Sequence, residues 1–239
     1  MAAPKGMSIG TLNGAFVLNK DISDPMDPIF IIQGIPYPVR KITQIATIRL
    51  EKVVKPLDPS TKSDVAAPAT TSSPPQQPVT DPEHPAPLQL TMTFIMSQLG
   101  PFGTGPLRAV GLAADRVETR ALDGSEYTTS EPVIGPSRGR WWLTTPAGIA
   151  QDPQLDAFHR EGRWADGAQV LRMSIRSTRD KDKGAWAAEH AWGFEEVGGG
   201  EGSDVRYVAR MKAFREVKGK KEEAHARLVY DYVGAPGSG

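Results

Sequence analysis

The sequence predicts a mainly β protein, a closed antiparallel β-barrel built as a meander, and three observations carry that reading. Apolar residues alternate with polar ones at period two over most of the chain, the pattern of strands with one dry face and one wet face. Glycine-rich turns separate these runs with no helix between them, so successive strands pair as hairpins. At 239 residues, 39% hydrophobic and 23% charged, the chain can bury one sizeable core. A long meander with one dry face hides it by closing on itself or by folding into a sandwich.

The first strand runs through Asn13-Gly14-Ala15-Phe16-Val17-Leu18. The period then changes. Asp27 can cap a short helix with Pro28 at its first position, continuing through Ile29 to Gln33 and stopped by Gly34. Pro36 and Pro38 lead into a second short helix, Val39 to Ala46, with Val39, Ile42, Ile45 and Ala46 on one side. Thr47 to Val53 reads as the next strand.

From Pro56 to Pro87 the composition shifts. This stretch holds nine of the 21 prolines (56, 59, 68, 74, 75, 78, 82, 85, 87) and no aromatic residue. It cannot bury enough apolar surface to offset its ordering entropy. The expectation is a disordered insertion at 56–87 inside a single domain spanning 1–239, with a flexible tail at 234–239.

Beyond the insertion the alternation resumes. Leu88, Leu90, Met92, Phe94 and Met96 share one face, as do Leu171, Met173 and Ile175. Trp186, Ala188, His190, Trp192 and Phe194 share a face opposite Glu189 and Glu195. Tyr207, Ala209, Met211 and Ala213 oppose Arg206, Arg210 and Lys212. Turns are expected at Leu122-Asp123-Gly124-Ser125, at Gly198 to Gly202 and at Lys218 to Lys221. Phe158 to Trp164 reads as a helical turn or a loop over the barrel end, with Trp164 as a plug.

Several function classes drop out. Lys+Arg and Asp+Glu number 28 each, which leaves no basic field to hold nucleic acid or an anionic membrane. Cysteine is absent, so disulfides, thiolate metal sites and a cysteine nucleophile are excluded. No apolar run approaches the roughly 20 residues of a membrane span. Met1 to Gly10 lacks a signal-peptide pattern, and a cytoplasmic location is expected. His84, His159, His190 and His225 show no metal-ligand spacing. There is no Walker loop, and nothing calls for a cofactor. Gly135-Pro136-Ser137-Arg138-Gly139 matches Gly-x-Ser-x-Gly, but an Arg-Trp-Trp strand follows where a hydrolase elbow needs a helix. Glu195-Glu196 and Glu222-Glu223 read as solvated acids.

The order strand, two short helices, then strands to the end is similar to the intracellular fatty-acid-binding proteins, a branch of the calycin group that includes the lipocalins. Their first strand carries Gly-x-Trp; here Gly14-Ala15-Phe16 puts Phe16 in the Trp place. Asp27 to Ala46 resembles the helix–turn–helix lid of that branch. Both branches tend to place an Arg on the last strand, matched here by Arg227. The ending Arg-x-Tyr becomes Arg227-Leu228-Val229-Tyr230, and period two sets Arg227 and Tyr230 on opposite faces. The chain also looks like small calycin-like proteins of filamentous fungi, some of which act on hydrophobic natural products in secondary metabolism.

The resemblance implies a hydrophobic small molecule (fatty-acid, polyketide or terpenoid-like) bound inside the barrel. The inward-facing candidates for its lining are Phe16, Met92, Phe94, Met96, Trp186, His190, Trp192, Phe194, Tyr207 and Met211. His190 is the one titratable group among the aromatic residues of its strand. Three roles fit it: a hydrogen-bonded core histidine, a polar anchor for a ligand carbonyl, or an acid/base group. The last would make the chain a cofactor-independent isomerase, cyclase or dehydratase using the same cavity. A third reading makes the Pro-rich insertion a ligand for a protein partner, with the barrel as scaffold.

Overall fold

A computed structural model describes residues 1–57, 87–97, 115–131, 133–165, 168–179, 184–198 and 204–237. Residues 58–86 of the expected insertion, most of the Gly198–Gly202 turn and the end of the tail lie outside the described residues.

Ten strands make one antiparallel sheet: β1 (Asn13–Leu18), β2 (Thr47–Pro56), β3 (Leu88–Ser97), β4 (Asp115–Ala121), β5 (Asp123–Glu131), β6 (Gly135–Thr144), β7 (Val170–Ser177), β8 (Trp186–Val197), β9 (Asp204–Val217) and β10 (Lys220–Gly234). Apart from β4 and β5, strands adjacent in sequence pair, and β1 pairs with β10 to bring the sheet round on itself. One seam stays open: among the described residues no ladder joins β4 to β5. The expected Asp-Gly hairpin does not form: the chain bends at Leu122, and Asp123 and Gly124 already lie in β5, with Gly124 at φ 78° and the Ser125 amide donating to Asp123 Oδ1 at 2.8 Å. The sheet is thus a nearly closed antiparallel barrel, the architecture the alternation and turns predicted.

Helices α1 (Asp27–Ile32) and α2 (Tyr37–Ile45) lie between β1 and β2. Asp27 stands inside the first turn of α1, where the sequence suggested a cap, and Met26 takes the cap position. The Asp27 carboxylate is occupied elsewhere, accepting two 2.8 Å bonds from Arg40 Nη1 that tie α1 to α2. Gly34 ends α1 at φ 72°, a conformation open to glycine. Arg215, at the end of β9, donates to the carbonyls of Ile31 and Ile32 and fixes α1 at that end of the barrel. The β9–β10 turn has Lys218 at φ 51° and Gly219 at φ 74°, both left-handed, as a two-residue hairpin between Val217 and Lys220 requires.

The central core forms from the inward positions of the strands, including Phe16, Leu50, Trp141, Leu171, Trp192, Tyr207 and Leu228. Trp141 faces inward and Trp142 outward under the Arg172 guanidinium, as adjacent strand residues must.

The excursion from β6 to β7 carries helices α3 (Pro146–Gln151) and α4 (Ala157–Arg160). It lies along the outer wall, so of the two alternatives for Phe158 to Trp164 the helical turn forms, at Ala157–Arg160, and the cover over the barrel end with Trp164 as its plug does not. Trp164 bridges to Glu195 and joins a second cluster with Ile149, Leu155, Val170 and Ala191. Small residues on the outer face of β8 admit it: a Cβ at Gly193 would lie 3.0 Å from the Trp164 ring. Gly193→Val is therefore expected to cost about 1–3 kcal/mol by overpacking, read as a lower urea midpoint. An unchanged midpoint would show that Trp164 is not seated there.

Glu195 is corrected as well. It is 1% exposed, because Arg210 (2.6 Å) and Arg227 (3.2 Å) close on it from the two strands beyond. Arg227 and Tyr230 do point to opposite sides, with Tyr230 in the core.

Candidate functional site

Strand β8 supplies the centre of the candidate site. Its inward face carries Trp186, Ala188, His190, Trp192 and Phe194, all buried. His190 sits in a cross-strand row with Met173 on one side and Met211, then Ala226, on the other. The next row runs Ala188, Ala213, Ala224 in register across β8, β9 and β10. Alanine ends at Cβ, so this row makes a low floor beside the imidazole.

Four buried ring nitrogens on β8 have no hydrogen-bond partner among the described residues: Nδ1 and Nε2 of His190 and Nε1 of Trp186 and of Trp192. Buried polar groups are nearly always paired, so such a cluster on one strand asks for an explanation. Burial lowers the His190 pKa to about 3, with the positive charges of His159, Arg172 and Lys52 adding to it. The ring is neutral at ordinary pH, one nitrogen a donor and the other an acceptor.

Lys52 on β2 is the functional group that sequence reasoning missed. It is 0% exposed and reaches across the interior to Tyr207, where Nζ lies 2.8 Å from Oη. Nζ also sits 3.8 Å from the Trp192 ring centre and 4.8 Å from that of Tyr207. Burial lowers its pKa to about 7. Burial raises the Tyr207 and Tyr230 hydroxyls, which stay protonated. The available signal was its place in Ile48-x-Leu50-x-Lys52-x-Val54, a lysine at an inward position of the alternation.

The seam gives the interior a polar side. Arg116, Glu118 and Arg120 of β4 stand opposite Phe94, Met92 and Leu90 and share their face. Arg116 pairs with Glu118 and with Glu131 of β5, and Arg120 lies 4.3 Å over the Tyr127 ring. Gly139 lets that ring lie close, and Trp141 Nε1 donates to Tyr127 Oη at 3.2 Å.

The ten sequence candidates are placed as follows. Phe16, Met96, Trp186, Trp192, Phe194, Tyr207 and Met211 lie in the central cluster, with Met92 and Phe94 packed against it. His190 lies among them. The Phe16 and Phe194 rings each pack tilted against Tyr207, at 4.9 and 5.5 Å, and the Tyr207 hydroxyl is engaged by Lys52. A separate concavity of about 550 Å³ lies on the outer wall of β5–β7. Its Arg138 and Arg140 already face Glu126 at 3.7 and 3.5 Å. The Gly-x-Ser-x-Gly segment is simply β6, with Ser137 buried in strand. Among the described residues no group of carboxylates and histidines could hold a metal, and no helix is long and apolar enough to cross a membrane.

No family model matches the chain. Over 233 residues it is 26% identical to a protein of Mollisia scopiformis described as "Probable pericyclase scpY", covering 98% of this chain and 95% of that one. Among solved structures it is similar to "REP1-NXSQ fatty acid transporter", with a TM-score of 0.41, 10% identity and coverage of 92% and 95%. It is also similar to "schistosoma mansoni fatty acid binding protein in complex with arachidonic acid", with a TM-score of 0.41, 9% identity and coverage of 95% and 100%.

Proposed function

We propose that the chain binds, inside the barrel, a hydrophobic small molecule that carries at least one carbonyl or hydroxyl oxygen. The observation that carries this is the set of four unpartnered ring nitrogens on β8 beside the in-register alanine floor. The apolar walls would supply most of the affinity, at about 25 cal/mol per Å² buried. His190 and the two indole N–H groups would orient the ligand through its oxygen. A cytoplasmic location, expected from the sequence, belongs to this reading, and cell fractionation tests it.

Conversion of the ligand is the second reading, favoured by likeness to a pericyclase relative over nearly the whole of both chains. A ring-forming pericyclic step redistributes electrons within one molecule. It needs a wall that holds the reactive conformer and a hydrogen bond to a carbonyl that gains electron density in the transition state. Neutral His190 and the indole donors fit that second requirement, and the apolar interior fits the first.

The test is native mass spectrometry of protein purified from its own host, with extraction and identification of bound compounds. Fluorescence titration follows, using the extracted compound and a deoxygenated analogue. His190→Ala is expected to weaken the oxygenated ligand about tenfold, roughly 1.4 kcal/mol, and to leave the analogue within about twofold. Equal effects on both would remove His190 from the site. A chain that carries no compound, and whose tryptophans no apolar ligand quenches, would end the binding reading. Formation of a cyclised product from an open-chain precursor separates enzyme from carrier.

A further inference from the structure

We propose that Lys52 is a carbonyl-reactive amine, condensing reversibly with the aldehyde or ketone group of an apolar ligand to form an imine at Nζ. This rests on the reading that the interior holds a small molecule. It goes further by naming a covalent site and a ligand class.

Three features place the chemistry at Nζ. The amine is wholly buried inside the barrel, against the Tyr207 hydroxyl and the Trp192 and Tyr207 ring faces. Among the described residues no carboxylate forms an ion pair with it, although most other cations of the interior and the outer wall have one. Its cross-strand neighbours are Gly14, over which the Phe16 and Tyr232 rings lie, and Met92 on β3, which is only partly buried, so no side chain with a charge stands beside the amine on either strand. Burial lowers its pKa to about 7, so near neutral pH a large share of the amine is uncharged, and the uncharged amine is the nucleophile.

The step balances without a further reagent. The Nζ lone pair adds to the carbonyl carbon, and a proton passes from nitrogen to oxygen to give a carbinolamine. The carbon–oxygen bond then breaks and that oxygen leaves as water, while nitrogen and carbon form the imine double bond. No electrons are gained or lost overall. Tyr207 Oη, 2.8 Å from Nζ and held protonated by burial, is placed to give a proton to the departing oxygen and to recover one from nitrogen.

The experiment uses the full chain at pH 7.5 with 2,4-decadienal and cyanoborohydride, which reduces an imine to a stable amine. Intact mass and peptide mapping locate the adduct. The expected result is one adduct per chain at Lys52, formed at least about tenfold faster than at any other lysine. Lys52→Met and Lys52→Arg should lose it. The mapping is done on the unaltered chain, so the result stands even if a variant fails to fold. The corresponding alcohol, 2,4-decadienol, reports binding alone by tryptophan quenching. If the alcohol binds and the aldehyde labels Lys52 no faster than surface lysines, the imine proposal is overturned and the binding reading stands. If 2,4-decadienoic acid binds more tightly than the alcohol, in a Lys52-dependent way and with no aldehyde labelling, Lys52 is a counter-ion and the proposal is again overturned. If neither alcohol nor aldehyde engages the chain, the binding reading falls and takes this one with it.

Discussion

Arg172→Ala is expected to lower the free energy of unfolding by about 3–5 kcal/mol, the usual penalty for removing one partner of a buried ion pair. Arg172 is 0% exposed. Its Nη2 lies 3.0 Å from Asp152 and 3.0 Å from Glu189, and its Nη1 donates to the carbonyls of His190 and Met173. Truncation would strand the Glu189 carboxylate, which burial already pushes above the usual range. It would also cut the tie from β7 to Asp152, and so loosen the segment that carries Trp164. Without its cation, Glu189 would have a folded pKa further above its unfolded one. The folded state would then hold more protons than the unfolded state over that interval, and stability would fall as pH rises through it. The deficit should therefore be larger at pH 7 than near pH 4.5. Urea unfolding at the two pH values measures this, with Arg172→Lys as the control that keeps charge and loses the fork. A loss under about 1 kcal/mol at pH 7 would show that the network contributes little.

The second large effect has the opposite sign. Lys52→Met should stabilise the fold at pH 7, because the lysine is buried among rings, and burial lowers its pKa to about 7 from the ordinary 10.5. Between those values the unfolded chain holds a proton that the folded chain has lost, so the unaltered protein gains stability as pH rises from 7 to 10.5. Each pH unit in that window is worth about 1.4 kcal/mol, and the full span roughly 5 kcal/mol as an upper figure. The variant lacks this dependence. Its advantage should be greatest near pH 7 and should shrink towards pH 10. An advantage that is flat with pH would mean that Lys52 titrates normally, and would remove one support of the imine proposal.

Much of the fold was legible because period two is unambiguous where one sheet face is buried. The alternations at Leu88–Met96, Trp186–Phe194 and Tyr207–Ala213 all face the way their patterns implied. Pro28 and Gly34 bracketed α1, and Gly219 marked the last hairpin. What escaped depended on partners distant in sequence. Glu195 resembles a surface acid until Arg210 and Arg227 arrive from β9 and β10. Asp156, whose carboxyl is held far below the usual range mainly by hydrogen bonds to Lys212, His225 and His159 that outweigh burial, lies on an excursion with no strand periodicity to place it. Lys52 kept its place in the alternation but broke its chemistry, and a reading that looks only for apolar residues on the inward face passes over it. His190 was legible as inward. That its two nitrogens lack partners needed the whole interior.

The open seam also bears on how these molecules behave when crowded together. A strand without a neighbour offers its backbone donors and acceptors to any other extended chain, which is the usual beginning of sheet-to-sheet aggregation. β4 pairs with β3 on one edge and, among the described residues, with no strand on the other, and its outer face shows Val117 at 64% exposure. Its other face carries Arg116, Glu118 and Arg120, already matched to Glu131 and to the Tyr127 ring across the opening. An intruding strand would have to part these pairs and set its own side chains against their charges. The same residues that make one side of the barrel interior polar thus guard the edge, and the sheet can remain unsealed there without recruiting a second copy of itself.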